Sequence, residues 1–276
     1  LGLTAAWLLR IPKRIYTRHH ATIHHREYPS GLKWDKLCNF LATDIIAISE
    51  NVKRILIERE KAQPNKVTVI RHGFDFDYFQ SVESNRIQAI REKLNLSSTN
   101  SPIIGVIARY TKWKGIQFII DAFAEIKKEY PTAILVLANA TGDYKQEIRA
   151  RLQTLPTDSF REIPFEEDLA ALYKVFDVYI HVPTDEQAEA FGQTYVEALL
   201  AGVPSVFTLS GVAPEFIRDG ENALTVPFEN AEAIQKAVQR ILQDPELTRK
   251  LKEQGQQSVS QFSLDLFIQN LKRLYA

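Results

Sequence analysis

Glu189 and Glu197 frame the string Glu189-Ala190-Phe191-Gly192-Gln193-Thr194-Tyr195-Val196-Glu197, and Gly202-Val203-Pro204 follows shortly after. The pattern predicts a loop that ends a strand, then a helix from Gly192 to Ala201 stopped by Gly-Val-Pro. Free amides and the positive dipole end at Gly192–Thr194 suit a phosphate group. Glu189 precedes that helix and Glu197 lies more than one turn inside it, so the two do not act as acid and base across one bond. Each carboxylate instead accepts hydrogen bonds from hydroxyls on a different part of an extended, sugar-like ligand. Glutamates at such spacing are commonly solvated, but the Phe-Gly and Gly-Val-Pro frame argues against a plain surface loop. Arg109 and Lys114 form a second group, in Ala108-Arg109-Tyr110-Thr111-Lys112-Trp113-Lys114-Gly115. A strand ends at Ala108 and a helix opens at Gly115, so both cations sit at the carboxyl edge of a sheet, where ligands of open α/β folds bind. Two fixed positive charges there could stabilise a departing diphosphate.

Histidines offer another kind of chemistry, because His19, His20, His24 and His25 crowd one short stretch. No cysteine or acidic residue stands among them in sequence, so a metal site is not expected; an active-site or acceptor-side role for one of them competes with simple surface polarity. Asp75-Phe76-Asp77 has the form of a metal-binding Asp-x-Asp, but it follows a strand in a turn and reads as structural. Arg10, Lys13, Arg14, Arg18 and Arg26 all precede the first acidic residue, Glu27. This basic edge could meet anionic lipid or a lipid-phosphate acceptor; a solvated edge, or a face packed on chain preceding Leu1, accounts for it equally well.

The elements that must hold these groups alternate. Strands are predicted at Ile15–Thr17, Ile45–Ile48, Val67–Ile70, Ile103–Ala108, Ala133–Ala138 and Val178–Val182. Helices are predicted at Asp35–Thr43, Ser49–Glu60, Arg86–Leu94, Gly115–Glu129, Tyr144–Leu152, Asp168–Phe176, Ala231–Leu242, Pro245–Phe262 and Leu264–Tyr275. Such alternation means α/β with parallel sheets, and the polar string Ser97–Ser101 reads as a linker. The chain's 276 residues are comfortable for two domains. Lys plus Arg equal Asp plus Glu at 34 each, which removes the basic surplus expected of a protein that coats nucleic acid. The single cysteine, Cys38, excludes an internal disulfide and fits a reducing, cytoplasmic compartment. No apolar run is long enough to span a bilayer, so any membrane contact would be peripheral.

Together these strings resemble the retaining, nucleotide-sugar-dependent glycosyltransferases of the GT-B fold, specifically glycosyltransferase family four. Ala42-Thr43-Asp44-Ile45-Ile46-Ala47-Ile48-Ser49-Glu50, Val69-Ile70-Arg71-His72-Gly73-Phe74-Asp75 and Pro214-Glu215-Phe216-Ile217-Arg218-Asp219-Gly220-Glu221-Asn222-Ala223 are similar to further family stretches. The resemblance implies two Rossmann-like doubly wound parallel-sheet domains, the first incomplete. Residues 1–80 would be the later half of the acceptor-side domain, 81–101 the linker, 102–262 the donor-binding domain, and 263–276 a helix packing back on the first. Arg109 and Lys114 would hold the donor diphosphate and Glu189 would contact the transferred sugar. The Phe191, Gly192, Gln193 and Thr194 backbone would touch sugar and phosphate, and Glu197 would bind the ribose. His19 matches the family's active-site histidine, with the doubled His20 an alternative register. Three positions depart from the family: Ala138-Asn139-Ala140-Thr141-Gly142 replaces its Gly-x-Gly, His72 its turn asparagine and Ala223 a glycine.

The activity implied is sugar transfer to a saccharide or lipid-linked acceptor, as in polysaccharide biosynthesis, with a nucleotide sugar as donor and no metal or other cofactor. The family's first strands and glycine-rich loop would precede Leu1, so the chain, which lacks methionine altogether, is expected to be part of a longer protein. That motivates a second reading: a nucleotide-sugar binding module or partner subunit without turnover, self-associating through its incomplete first unit. A related epimerase is disfavoured by the Glu189–Glu197 motif, and a phosphorylase by the lack of a lysine context for pyridoxal phosphate.

Overall fold

A computed structural model describes residues 1–276. β1 (Ile15–Arg18), β2 (Asp44–Ala47) and β3 (Val67–Val69) form a parallel sheet in that order. β4 (Ile103–Ile107), β5 (Ile134–Ala138), β6 (Phe160–Ile163), β7 (Val178–His181), β8 (Ser205–Phe207) and β9 (Leu224–Thr225) form a second parallel sheet, ordered β6-β5-β4-β7-β8-β9. The chain builds outward from β4 through β5 to β6, then returns to the other side of β4 with β7. That reversal is the switch point above which a crevice opens at the carboxyl ends of the strands.

Both faces of the second sheet are covered, and the central strands are correspondingly continuous apolar runs. Ile103 and Ile107 of β4, with Ile134 and Val136 of β5, face one core. Ile104, Val106, Leu135 and Leu137 face the other, beneath the Ile116–Glu129 and Ala231–Gln243 helices. Gly105 of β4 lies under the Phe176 ring, which an added Cβ would meet at 2.1 Å.

Three strands escaped the sequence pattern. β6 carries Arg161 and Glu162 at the sheet edge, while β8 and β9 are too short to show a period. The first long helix begins earlier than its apolar period implies, spanning Gly31–Leu41. The helix capped by Ser49 spans Glu50–Arg54 and widens into a π turn over Ile55–Arg59. Glu60 follows that turn and is 4% exposed. Within 81–101, the Ser84–Lys93 helix docks on the Leu169–Val175 helix, with Arg86 bridging to Asp168 at 2.6 Å.

The two sheets share a core that runs through Phe74, Phe191, Phe216 and Phe262. Phe191 and Phe262 meet edge to face at 5.8 Å. The Phe74 amide donates to the Phe262 carbonyl at 2.9 Å and the Leu264 amide to the Phe74 carbonyl at 3.1 Å, so the Leu264–Tyr275 helix starts beside the end of the first sheet. Tyr275 reaches a cavity lined also by Leu3, Lys13 and Ile15. No helix is long and apolar enough to cross a membrane.

Candidate active site

The loops after β4 and β7 meet in a cleft of about 710 Å³, floored by the second sheet and walled by the first unit. Arg109 and Lys114 enter from the β4 side, Glu189, Phe191, Gly192, Gln193, Thr194 and Glu197 from the β7 side, and His19 and His72 from the first unit. The residues assigned to donor and catalysis by the resemblance, His19, Arg109, Lys114, Glu189, Phe191–Thr194 and Glu197, therefore line one cavity, whereas His20, His24, His25, Asp75 and Asp77 do not. Asn139, after β5, joins them at φ +62°, a left-handed conformation that asparagine tolerates. It thus takes up a turn for which the family pattern has glycine.

Arg109 is exposed at the cleft, while Lys114 is engaged. Its ammonium lies 2.5 Å from Glu189 Oε1 and 4.5 Å from the centre of the Trp113 ring. Gly115 then turns the chain into the next helix at φ +73°, pressed so close to the Val182 carbonyl that a Cβ would lie 2.0 Å away. Glu189 is 6% exposed. Burial opposes its ionisation, but the Lys114 charge and the His181 hydrogen bond outweigh that and hold its pKa at about 2. His181, at the end of β7, places Nε2 3.0 Å from the same Oε1.

Glu197 is 9% exposed and has no cation beside it. Burial drives its pKa up to about 7, only partly offset by the Tyr173 hydroxyl, which donates to Oε2 at 3.0 Å. The two glutamates thus differ in character: Glu189 is a fixed anion, whereas Glu197 is poised between acid and carboxylate near neutrality. Above them the Gln193–Leu200 helix opens at Gly192, φ +87°, with no side chain capping it and no acidic residue in its first turn. Its first amides therefore lack intrahelical acceptors and face the cleft with the positive dipole end.

Of the four clustered histidines, His19 is the one that lines the cleft, its ring stacked on His72 at 5.5 Å. His72 in turn meets Phe191 edge-on at 4.8 Å. Burial lowers the His72 pKa, and the neighbouring His19 lowers it further. His20 turns away: its Nε2 is 2.7 Å from an Arg18 guanidinium nitrogen and 3.4 Å from Asp35 Oδ1. Asp35 supplies the acidic partner that the local sequence lacks, and His24 Nδ1 lies 2.7 Å from its Oδ2. The trio His20, His24 and Asp35 has ligand-like spacing. However, Arg18 sits 2.5 Å from Asp35 Oδ1 and also pairs with Glu60, so a buried cation already holds the one carboxylate a metal would need. Asp75 caps the Phe76–Gln80 helix by accepting from the Tyr78 amide, the structural part expected of it.

The first unit grips the Glu189 loop directly. Asn51 Nδ2 donates to the Glu189 carbonyl at 2.9 Å and Ser49 Oγ to the Ala190 carbonyl at 2.6 Å. Thr22 reaches the Gln187 carbonyl, Arg26 pairs with Asp185, and Arg54 with Glu186. A charged groove of about 360 Å³ runs along this seam; on its walls Lys53 pairs with Glu50 and Arg54 with Glu186, while Glu58 and Glu215 leave it net acidic. Asn51→Ala leaves the buried Glu189 carbonyl without its donor, which should cost about 1–2 kcal/mol. Hydrogen exchange is then expected to quicken across residues 186–192 and not in the Ile116–Glu129 helix.

Sequence reasoning found the cleft's charges but missed His181, Tyr173, Asn51 and the His72 side chain. His181 was detectable only as a lone polar residue at the end of an apolar strand. Tyr173 and Asn51 carry no signal apart from their long-range partners.

The model for "Glycosyl transferases group 1" matches residues 87–258. The capsular polysaccharide biosynthesis glycosyltransferase CapM of Staphylococcus aureus is 28% identical over all of this chain and 73% of its own length. The alpha-monoglucosyldiacylglycerol synthase of Acholeplasma laidlawii is 24% identical, over all of this chain and 71% of that protein. Among solved structures, Anabaena Alr3699/HepE in complex with UDP and glucose superposes with a TM-score of 0.87 at 22% identity, covering 99% of this chain and 74% of that one. Sucrose-phosphate synthase of Thermosynechococcus elongatus superposes at 0.80, also at 22% identity, with 99% of this chain and 70% of that one covered. The fold these neighbours share is GT-B, and the chain belongs to the group 1 glycosyl transferases.

Proposed function

We propose that the chain transfers a sugar from a nucleoside-diphosphate sugar to a saccharide or lipid-linked acceptor with retention at the anomeric carbon, as a member of glycosyltransferase family four. The observation that carries this reading is the convergence of Arg109, Lys114, an uncapped helix terminus, Glu189 and Glu197 on one cleft. Arg109, Lys114 and the Gly192–Thr194 amides hold the diphosphate, Glu189 the sugar and Glu197 the ribose. His19 faces the acceptor side from the first unit. The bond from the anomeric carbon to the phosphate oxygen breaks, and the acceptor oxygen attacks the same face. The acceptor's proton passes to the departing phosphate. Catalysis is then positioning plus charge stabilisation, and no metal has a part in it. UDP and glucose in the HepE complex support the donor class, and the polysaccharide and glycolipid enzymes among the relatives support the acceptor classes. The reading places the reaction in the cytoplasm, on either a soluble or a membrane-borne acceptor.

Calorimetry with UDP, UDP-glucose and uridine tests this assignment. Arg109→Ala should weaken UDP by roughly tenfold or more, the worth of a charge-assisted contact, and leave uridine unchanged. Glu189→Ala should spare UDP and weaken the intact sugar nucleotide. An Arg109→Ala chain that binds UDP as the parent does reduces Arg109 to a surface cation. Saturation-transfer NMR across a panel of nucleotide sugars identifies the base and the sugar.

A further inference from the structure

The His181 ring is sealed at 1% exposure at the end of β7. Tyr195 meets it edge-on at 4.7 Å, and Nε2 lies 3.0 Å from Glu189 Oε1. The Lys114 ammonium takes the same oxygen at 2.5 Å. Lys114 thus serves Glu189, yet the donor-binding reading requires it for the diphosphate. We propose that His181 is a positioning residue: a neutral imidazole whose Nε2–H holds the Glu189 carboxylate aimed at the sugar once Lys114 turns to the diphosphate. The proposal rests on that donor-binding reading and goes beyond it by assigning the residue that fixes the carboxylate.

The charges explain why an imidazole suits the position. A diphosphate carries more negative charge than one carboxylate, so a bound donor draws the flexible lysine toward itself. The imidazole is held by its strand and by Tyr195 and cannot follow. Glu189, Lys114 and Tyr195 are the titratable groups that face it. Burial lowers the His181 pKa, the Glu189 hydrogen bond opposes this, and Lys114 lowers it again. The ring is therefore neutral, and a neutral ring donates from Nε2 in only one tautomer. A second formal positive charge beside Lys114 would overcompensate Glu189 and compete for the same phosphate.

Two measurements test the proposal, the first without ligand. Long-range nitrogen–proton spectra of the His181 ring between pH 5 and 8 should show the Nε2–H tautomer. Lys114→Met should raise its titration midpoint and Glu189→Gln lower it, by about half a unit or more. A ring that ignores both substitutions overturns the proposal, whatever the chain binds. The second measurement is calorimetry with UDP and UDP-glucose on His181→Phe, which keeps the ring against Tyr195, and on His181→Gln, which restores an N–H. Both variants should bind UDP within about twofold of the parent. His181→Phe should lose about tenfold for UDP-glucose, and His181→Gln should recover most of that loss. Equal losses for both probes, or no recovery with glutamine, would make His181 merely structural. If the parent binds neither probe, the donor reading fails by itself, and the spectra still decide whether His181 sets Glu189.

Discussion

Replacing Lys114 with alanine is expected to cost the folded chain about 3 kcal/mol at neutral pH, the usual consequence of stripping a buried carboxylate of its cation. Glu189 and Lys114 have side chains only 8% and 17% exposed, so water screens the pair poorly. With Lys114 present, the Glu189 pKa of about 2 lies below its ordinary 4.5. That depression stabilises the fold above pH 4.5 and is lost as the pH falls from there toward 2. Without Lys114, burial acts on Glu189 opposed only by the His181 contact, and the charged form becomes the costly one. The deficit of Lys114→Ala should therefore be largest at pH 7 and shrink as acid neutralises Glu189. Urea unfolding at pH 7 and pH 4 measures it. A deficit equal at both values would place the damage outside this pair. Lys114→Ala combined with Glu189→Gln should cost less than the two single changes summed, because the variants share one interaction.

The same pair shows how far the sequence could be read. Arg109, Lys114, Glu189 and Glu197 were legible because β4 and β7 are strong apolar runs, and the loops after such runs can open only at the carboxyl edge of the sheet. The ion pair between Lys114 and Glu189 was not legible, since no local spacing reports a contact across the switch point. Asp35 was invisible as the partner of His20 and His24 for the same reason: a helix packed on the sheet brings it there. The doubled histidine was ambiguous until the burial of Arg18 fixed the register, sending His19 to the cleft and His20 to the ion network. The Ser49-Glu50 motif reads in sequence as a helix cap. In three dimensions Ser49 both caps and crosses to the Ala190 carbonyl, so one hydroxyl joins helix start to active-site loop. β6 and β9 were missed because strand periodicity needs length and alternation, and their edge positions relax both; β8 lies inside the sheet and was missed because three residues are too few to show a period.

Glu197 carries the opposite linkage. Its folded pKa of about 7 lies above its ordinary 4.5, because burial disfavours the charge and the Tyr173 hydroxyl only partly compensates. A raised carboxyl stabilises the fold below pH 4.5, and that contribution is lost as the pH climbs through 7. Glu197→Gln keeps an oxygen for Tyr173 and removes the titration. It should leave stability nearly unchanged at pH 5 and raise it at pH 8 by on the order of 3 kcal/mol. Binding should move the other way. Ribose hydroxyls donate to a carboxylate better than to its protonated form, so a bound nucleotide favours the ion and expels a proton near pH 7. The heat of UDP binding to the parent should then vary with the ionisation enthalpy of the buffer, and that variation should vanish in Glu197→Gln. Glu197→Ala should weaken UDP and UDP-glucose alike, by roughly tenfold to a hundredfold, since the lost contact lies on the nucleoside and not on the sugar. A Glu197→Gln chain no more stable than the parent at pH 8 would mean that this carboxyl is solvated in the folded chain. A parent whose binding heat ignores the buffer would separate Glu197 from the ribose, leaving Arg109, Lys114 and the Gly192 helix end to hold the nucleotide by its phosphates alone.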